Sequence, residues 1–316
     1  MIAQTCDRVA ALVPPERIWV VCGESHRDLV QESLPDLPLE NILTEPCARN
    51  TLACIALATY ALQRRDPNSV QLVLPADHVI EPAESFHASV KAAVRVAIER
   101  ESLVTFGIRP TFPATGYGYI ELGKQAADSL SESVFDVVQF QEKPSLEVAK
   151  EFVDSGRFLW NSGMFVWTTQ TIANSIAKHS PDIHEALSTC EADALTEVYA
   201  GLRSAPIDKG VMEKASNRNV LPIDYRWSDV GSWSALEEVL PAKKAGMIES
   251  GSVELITHDS QDCIVHASEK HTIALVGVKD LIVVHTDGAT LVCPRDRDQD
   301  VREIVEQLKA RASDRA

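Results

Sequence analysis

The feature that most constrains this chain is an alternation of two periods. From residue 17 to residue 108, short β-branched runs trade places with longer Ala- and Leu-rich stretches of helical spacing. After a predicted helix over 2–13, the turn "PPER" leads into a strand at 17–22, "SHRDLVQESL" returns to helix, and "ENILTEP" reads as a short strand. Asn50 precedes "TLACIALATYALQRR", predicted as a buried helix that Asn50 caps, and "DPNS" turns the chain into the strand Val70–Leu74. The stretch 84–99 sets Phe86, Val90, Val94 and Ala97 on one helical face, and "SLVTFGI" follows as the next strand. Such repeated units predict an α/β domain with a mixed, mostly parallel sheet and helices on both faces.

Past residue 110 the texture changes. "TGYGYIEL" and "SVFDVVQFQEKP" read as strands separated by a polar insert, "SLEVAKEFVDSG" as a helix leading into "RFLWNSGMFVW", and 170–202 as further helices. "PAKKAGMIESGS" has no hydrophobic period and is rich in Pro, Gly and Ser, so it marks a boundary between a first domain, 1–244, and a second, 245–316. In the second, "CIVHAS", "TIALVGV", "LIVVHT" and "ATLVCP" are short strands, closed by a charged helix from about 298.

Charge narrows the function. With 46 acids against 30 bases the formal charge is -16, which argues against a nucleic-acid or anionic-membrane surface. No stretch approaches a membrane span and residues 1–30 lack the basic-then-apolar pattern of a signal peptide, so the expected location is the cytoplasm. The seven cysteines include no C-x-x-C pair, and His258, His266, His271 and His285 are scattered without ligand spacing, so disulfide and zinc-cluster readings are weak.

Four clusters stand out: "TEPCARNT", "LPADH", "QEKP" with "WNSGMF", and "WSDVGSW". Asp77 follows a strand-like run that Pro75 ends. Acids placed at the carboxyl end of a strand in an open α/β sheet face the ligand crevice, so Asp77 is either a metal or substrate ligand or the cap of the next turn.

Taken in order, "EPCARNTLACIALA", "LPADHVI", "TGYGYI", "FQEKPSLEVAKEF", "WNSGMFVW", "PIDKGVMEK", "YRWSDVGSW" and "TLVCPRDRDQDVREIV" resemble the mannose-1-phosphate guanylyltransferases of the short bacterial type. The resemblance runs from residue 1 to about 310. It implies a Rossmann-like nucleotidyltransferase domain followed by a left-handed β-helix-like module, and a reaction in which GTP and mannose 1-phosphate give GDP-mannose and pyrophosphate. It also implies Asp77 and Asp229 as a pair of Mg2+ ligands, a donor set that suits an octahedral cation completed by phosphate oxygens and water. Gly118, Glu142, Lys143 and Asn161 match its sugar-phosphate positions, Lys143 as a point charge near the reacting phosphate. Asp208 matches an acid of the family, but Lys209 and Gly210 follow it where the family has Tyr and a small residue, so a structural role stays open.

For the nucleotide, guanine offers a ring N–H and an exocyclic amine on one edge, a pair that one carboxylate accepts. Glu45 is the candidate, beside Arg49, Asn50 and Thr51, with Asp77 facing the phosphates. The alternative is plain: Asn50 and Thr51 as a helix cap, Arg49 paired with Glu45. The family's opening strand, its loop GGxGTRLWPLSR and its PKQF segment do not occur in this sequence. Three expectations follow: an active guanylyltransferase with further residues upstream of Met1, a non-catalytic homologue that binds sugar nucleotide or a partner subunit, or a relative using another sugar phosphate or nucleotide. The first predicts low activity for these 316 residues alone, and two unpaired strand edges that favour self-association into a homo-oligomer.

Overall fold

The computed structural model describes residues 1–126 and 134–310, so the centre of the predicted polar insert lies outside the described residues. The chain forms two compact units, Met1–Arg226 and Trp227–Ala316. Sequence places the boundary near 244. The units part earlier because Trp233, Leu236 and Leu240 pack on the buried strand residues Ile248, Ile264, Ile282 and Val284, which ties that segment to the second unit.

Helices of the first unit are α1 (Ile2–Val9), α2 (Arg27–Ser33), α3 (Asn50–Arg65), α4 (Ala83–Glu99), α5 (Leu146–Ser155), α6 (Thr169–His179), α7 (Pro181–Leu187) and α8 (Leu195–Gly201). Its strands are β1 (Val20–Gly23), β2 (Ile42–Glu45), β3 (Val70–Val73), β4 (Val79–Glu81), β5 (Leu103–Ile108), β6 (Tyr119–Gln125), β7 (Phe135–Gln141), β8 (Phe158–Thr168) and β9 (Arg218–Ile223), and β10 (Arg226–Ser228) spans the junction. Among the described residues six strands join in the order β3-β8-β5-β9-β7-β6, while β1 and β2 form a separate parallel pair. Within these ladders β1 and β3 each have a strand partner on one side only.

The mostly parallel sheet predicted from sequence needs correcting. Only β5 and β9 pair in parallel within the six-stranded sheet. The other adjacent pairings are antiparallel, because β7 and β8 run against their neighbours. Strand–helix alternation holds up to β5, and the pairings it predicts are then interrupted by β8, which arrives from later in the chain and inserts between β3 and β5. A buried, apolar strand reads the same whichever way its neighbours run.

α3 is wrapped on several faces, with Leu52, Ala53, Ile55, Ala56, Leu57, Thr59 and Tyr60 all buried. They meet Phe165 and Trp167 of β8 and Ile172, Ala173 and Ile176 of α6 in the main core. A polar seam crosses that core. Gln71 Oε1 accepts from Trp167 Nε1 at 3.1 Å and from Thr59 at 3.2 Å, and its amide donates to Thr169 at 3.0 Å. Every member has a partner, which a buried polar group requires. In α4 the buried face is Phe86, Val90, Ala93 and Ala97, one position away from the predicted Val94. α5 has a full set of end signals: Ser145 accepts from Val148 N–H at its start, and Gly156 at φ 65° ends it.

In the second unit, α9 (Leu236–Val239) precedes four strands, β11 (Ile248–His258), β12 (Ile264–Val276), β13 (Leu281–Thr286) and β14 (Ala289–Pro294), before α10 (Val301–Ala310). They form one sheet in sequence order. β11–β12 and β12–β13 are parallel and β13–β14 is antiparallel. Here two predictions fail. "CIVHAS" and "TIALVGV" fall in one continuous strand, β12, and the supposed linker contains the start of β11. β11 was hidden by Gly251, whose φ of 70° makes a bulge before Val253 and breaks the strand's period. No helix among the described residues is long and apolar enough to cross a membrane.

Candidate functional site

In the first unit five predicted residues come to one place. Gly118 immediately precedes β6, Glu142 and Lys143 follow β7, Asn161 lies within β8, and Asp208 opens a π-helical turn, Asp208–Met212. Asn161 N–H donates to the carbonyl of Gly118 at 2.8 Å. A Cβ on Gly118 would stand 2.7 Å from Glu142 Oε2 and 3.7 Å from Asn161 Nδ2, so the bare backbone is what lets these groups converge. Lys143 Nζ lies 3.7 Å from Glu142 Oε1 and is more exposed, with the backbone at φ 43° that its turn requires.

Asp208 is tied to Asn161: the amide Nδ2 donates to its Oδ1 at 2.7 Å. The other end of the same amide accepts from Gly163 N–H at 3.2 Å, a bond made possible by Gly163's left-handed φ of 67°. Sequence treated Asn161 as an open donor and acceptor, and the structure commits one function of each kind to the protein itself. Burial, with the nearby Glu142 carboxylate adding to it, raises the Asp208 carboxyl to about 6. Lys209, the departure from the family pattern, is exposed, and Gly210 is buried where a Cβ would meet Leu52 at 2.6 Å.

A second group gathers where β2 passes into α3. Glu45 ends β2, and its Oε1 accepts from the Tyr199 hydroxyl at 2.5 Å. Tyr199 is fully buried, and burial together with the Glu45 carboxylate holds its hydroxyl protonated far above the ordinary tyrosine range. Burial, then the same carboxylate, pushes the Cys54 thiol up to about 12. Arg49 does not pair with Glu45: it donates to the carbonyls of Tyr199 and Ala200 in the last turn of α8, where the helix dipole favours a cation. Nor is Asn50 the cap. The capping position is Arg49, without a side-chain bond, while Asn50 sits at φ 65° with its Oδ1 on Thr51 N–H. Thr51 Oγ1 accepts from Ile207 N–H at 2.9 Å, which stitches this group to the residue before Asp208.

Asp77 lies exposed in the loop between β3 and β4, and among the described residues it makes no hydrogen bond or ion pair. His78, beside it, is buried, and its carbonyl accepts from Arg8 at 2.9 Å. Asp229 belongs to the second unit, where its Oδ1 accepts from Gly231 N–H at 3.0 Å. No group of three or more His, Cys, Asp or Glu side chains among the described residues could hold a metal. Carboxylates outside any such cluster fit a hard cation that takes its remaining ligands from phosphate oxygens and water, and do not fit a closed zinc site. Cavities of about 260 and 400 Å³ open against Ser216 and Asn217 and are lined by none of these residues.

Residues 1–245 match the family model described as nucleotidyl transferase, and residues 253–308 match one described as MannoseP isomerase/GMP-like beta-helix domain. The chain is 42% identical over 304 residues to a mannose-1-phosphate guanylyltransferase of Escherichia coli strain K12, covering 92% of this chain and 63% of that one. A Klebsiella pneumoniae protein of the same name is 39% identical over 323 residues, covering 98% and 67%. This chain belongs to the mannose-1-phosphate guanylyltransferase family. A solved structure described as mannose-1-phosphate geranyltransferase, from Thermus thermophilus, agrees with a TM-score of 0.86 at 32% identity, covering 98% of this chain and 89% of that one. The nucleotidyltransferase region and β-helix-like module implied by the guanylyltransferase resemblance are therefore present. This chain spans 63% and 67% of the lengths of the two curated guanylyltransferases. Divalent metal belongs to the chemistry of such nucleotidyltransferases. Sequence missed Tyr199 and Gly163. Tyr199 sits in an ordinary helical pattern 154 residues from Glu45, and no local signal marks the contact.

Proposed function

We propose that this chain transfers guanylyl from GTP to mannose 1-phosphate, forming GDP-mannose and pyrophosphate, with residues 1–244 carrying the chemistry and 245–316 the β-helix-like module. The observation that supports it is the convergence of Gly118, Glu142, Lys143, Asn161 and Asp208, five residues from four separate chain segments. Such a set matches a phosphorylated sugar: a cation for the phosphate, a carboxylate and an amide for ring hydroxyls, and bare backbone for close approach.

Glu142 accepts from hydroxyls and Asn161 donates to them, which orients the sugar so that its phosphate meets Lys143. That phosphate is already anionic at neutral pH, so the transfer needs positioning rather than a strong base. Lys143 offsets charge on the attacking phosphate. Glu45, held by Tyr199, accepts from the guanine edge, and the start of α3 at Asn50 and Thr51 borders the nucleotide, with Arg49 fixing the turn. Asp77 and Asp229 are each assigned as carboxylate donors to Mg2+. When bound, that ion supplies positive charge against the triphosphate, which a protein of charge -16 otherwise lacks. A reaction that consumes GTP sets the chain, on this reading, in the cytoplasm.

The test is product identification. The purified chain is incubated with GTP, mannose 1-phosphate and MgCl2, and 31P NMR follows the diphosphate signals. GDP-mannose with pyrophosphate in equal amounts supports the reading and overturns the low activity expected of these 316 residues alone. Binding of GDP-mannose without turnover would replace it with the non-catalytic homologue, and equal turnover of another sugar phosphate or of ATP with the relaxed relative.

A further inference from the structure

The amide of Asn161 has two ends that look alike in shape and opposite in chemistry, and something must decide which end faces the ligand. Two contacts decide it. Gly163 N–H needs an acceptor and takes Oδ1, at 3.2 Å, while Asp208 Oδ1 needs a donor and takes Nδ2, at 2.7 Å. One amide hydrogen then remains unengaged among the described residues, on the nitrogen that lies beside the face of Gly118, with Glu142 Oε2 on the same face. A donor and an acceptor side by side suit neighbouring ring hydroxyls, one accepting and one donating.

We propose that Asp208 is a positioning residue that never touches the sugar and acts by locking Asn161 in the donor-forward orientation, so that it sets which hydroxyl pattern the pocket accepts. This rests on the hexose-phosphate reading above. Several features set it apart from a structural acid. Asp208 is half-buried, at the opening of a π-helical turn, a form that frequently marks functional sites. Glu142 faces it from the end of β7 and Glu213 from its own segment, both carboxylates, while among the described residues Lys143 is engaged with Glu142 and Lys209, next in the chain, is exposed. Thr51, packed against it from α3, brings no charge. The environment therefore opposes the charge of Asp208, and burial raises its carboxyl to about 6. An acid kept where its own charge is opposed serves the Asn161 amide at a cost to stability.

A double-mutant cycle tests this on the full chain, with mannose 1-phosphate affinity read by calorimetry at pH 8. Asp208→Leu, close in size and unable to accept, is expected to weaken binding on the order of tenfold, Asp208→Asn by less, and Asn161→Ala by about as much as Asp208→Leu. Adding Asp208→Leu to Asn161→Ala should change nothing further, because the only group it acts on is gone. Both Asp208 variants should melt at or above the parent temperature at pH 8, which excludes lost folding as the reason. Independent, multiplying effects of the two substitutions would overturn the proposal, as would parent-like affinity in Asp208→Leu. Side-chain amide NMR separates the two layers of the argument. If the parent binds no hexose phosphate while the Asn161 amide signal still moves with Asp208 ionisation, the lock exists and the hexose-phosphate reading falls, taking this role with it. An Asn161 amide signal that ignores Asp208 ionisation would sink the lock itself.

Discussion

Glu45 and Asp208 show how a side chain's surroundings set its usefulness. Glu45 takes the Tyr199 hydroxyl on Oε1, and the second lone pair of that oxygen together with Oε2 forms the acceptor pair that reads a base edge. Glu45→Gln replaces an acceptor pair by one acceptor and one donor, so it should lower GTP use by roughly 10- to 100-fold and narrow the preference over ATP, measured as kcat/KM for GTP, ITP and ATP. An unchanged GTP-to-ATP ratio would remove Glu45 from the base site. For Asp208 the sign of the pH effect follows from its shift. Its folded carboxyl, raised from 3.8 to about 6, holds its proton more tightly than the unfolded chain does. Its contribution therefore favours folding below about 4 and is lost as the pH rises through about 6. Asp208→Asn should thus gain stability over the parent at pH 8 and show no gain below pH 4, in thermal melts across that range; a variant less stable at pH 8 would contradict the opposed-charge account. The places of Glu45 at the end of β2 and of Asp77 in the loop after β3 were legible in the sequence because each follows an apolar run. The Tyr199 contact was not, since it joins residues 154 apart.

Elements were legible where one period ran unbroken. α3 was, because its Ala- and Leu-rich stretch has one continuous helical spacing. β11 was not, because Gly251 adds a residue and shifts inward-facing positions outward. Pairing direction was also hidden. β5 looks like any buried parallel strand, yet β8 lies antiparallel on one side of it and β9 parallel on the other. The close fit of these strands gives a prediction. A Cβ on Gly107 would lie 2.4 Å from Leu159 Cδ1, 2.9 Å from Leu159 Cβ and 2.9 Å from Val220 Cγ2, atoms held in the strands on either side. Gly107→Ala should destabilise the first unit by about 1–3 kcal/mol through overpacking, read in urea unfolding. A loss below ~0.5 kcal/mol would mean the strands yield more easily than a close-packed sheet allows.

At the scale of the molecule, excess acid limits what the chain can bind unaided. A formal charge of -16 opposes both proposed substrates, so turnover should depend on divalent metal while stability should not. No metal-holding cluster exists among the described residues, so chelation should abolish transfer and leave the melting temperature within about 2 °C. A large drop would reveal a structural metal. The boundary read near residue 244 falls between the two family matches, while the compact units part at Trp227, since Trp233 and Leu236 look like any amphipathic stretch until the strands they cover are known. The central claim is that the Gly118, Glu142, Lys143, Asn161 and Asp208 cluster takes the sugar phosphate. Its most direct test is the KM for mannose 1-phosphate in Lys143→Met and Glu142→Gln, measured by pyrophosphate release at saturating GTP. The account predicts rises of roughly 10- to 100-fold, with the KM for GTP unchanged within twofold. An unchanged KM for mannose 1-phosphate in both variants would contradict it.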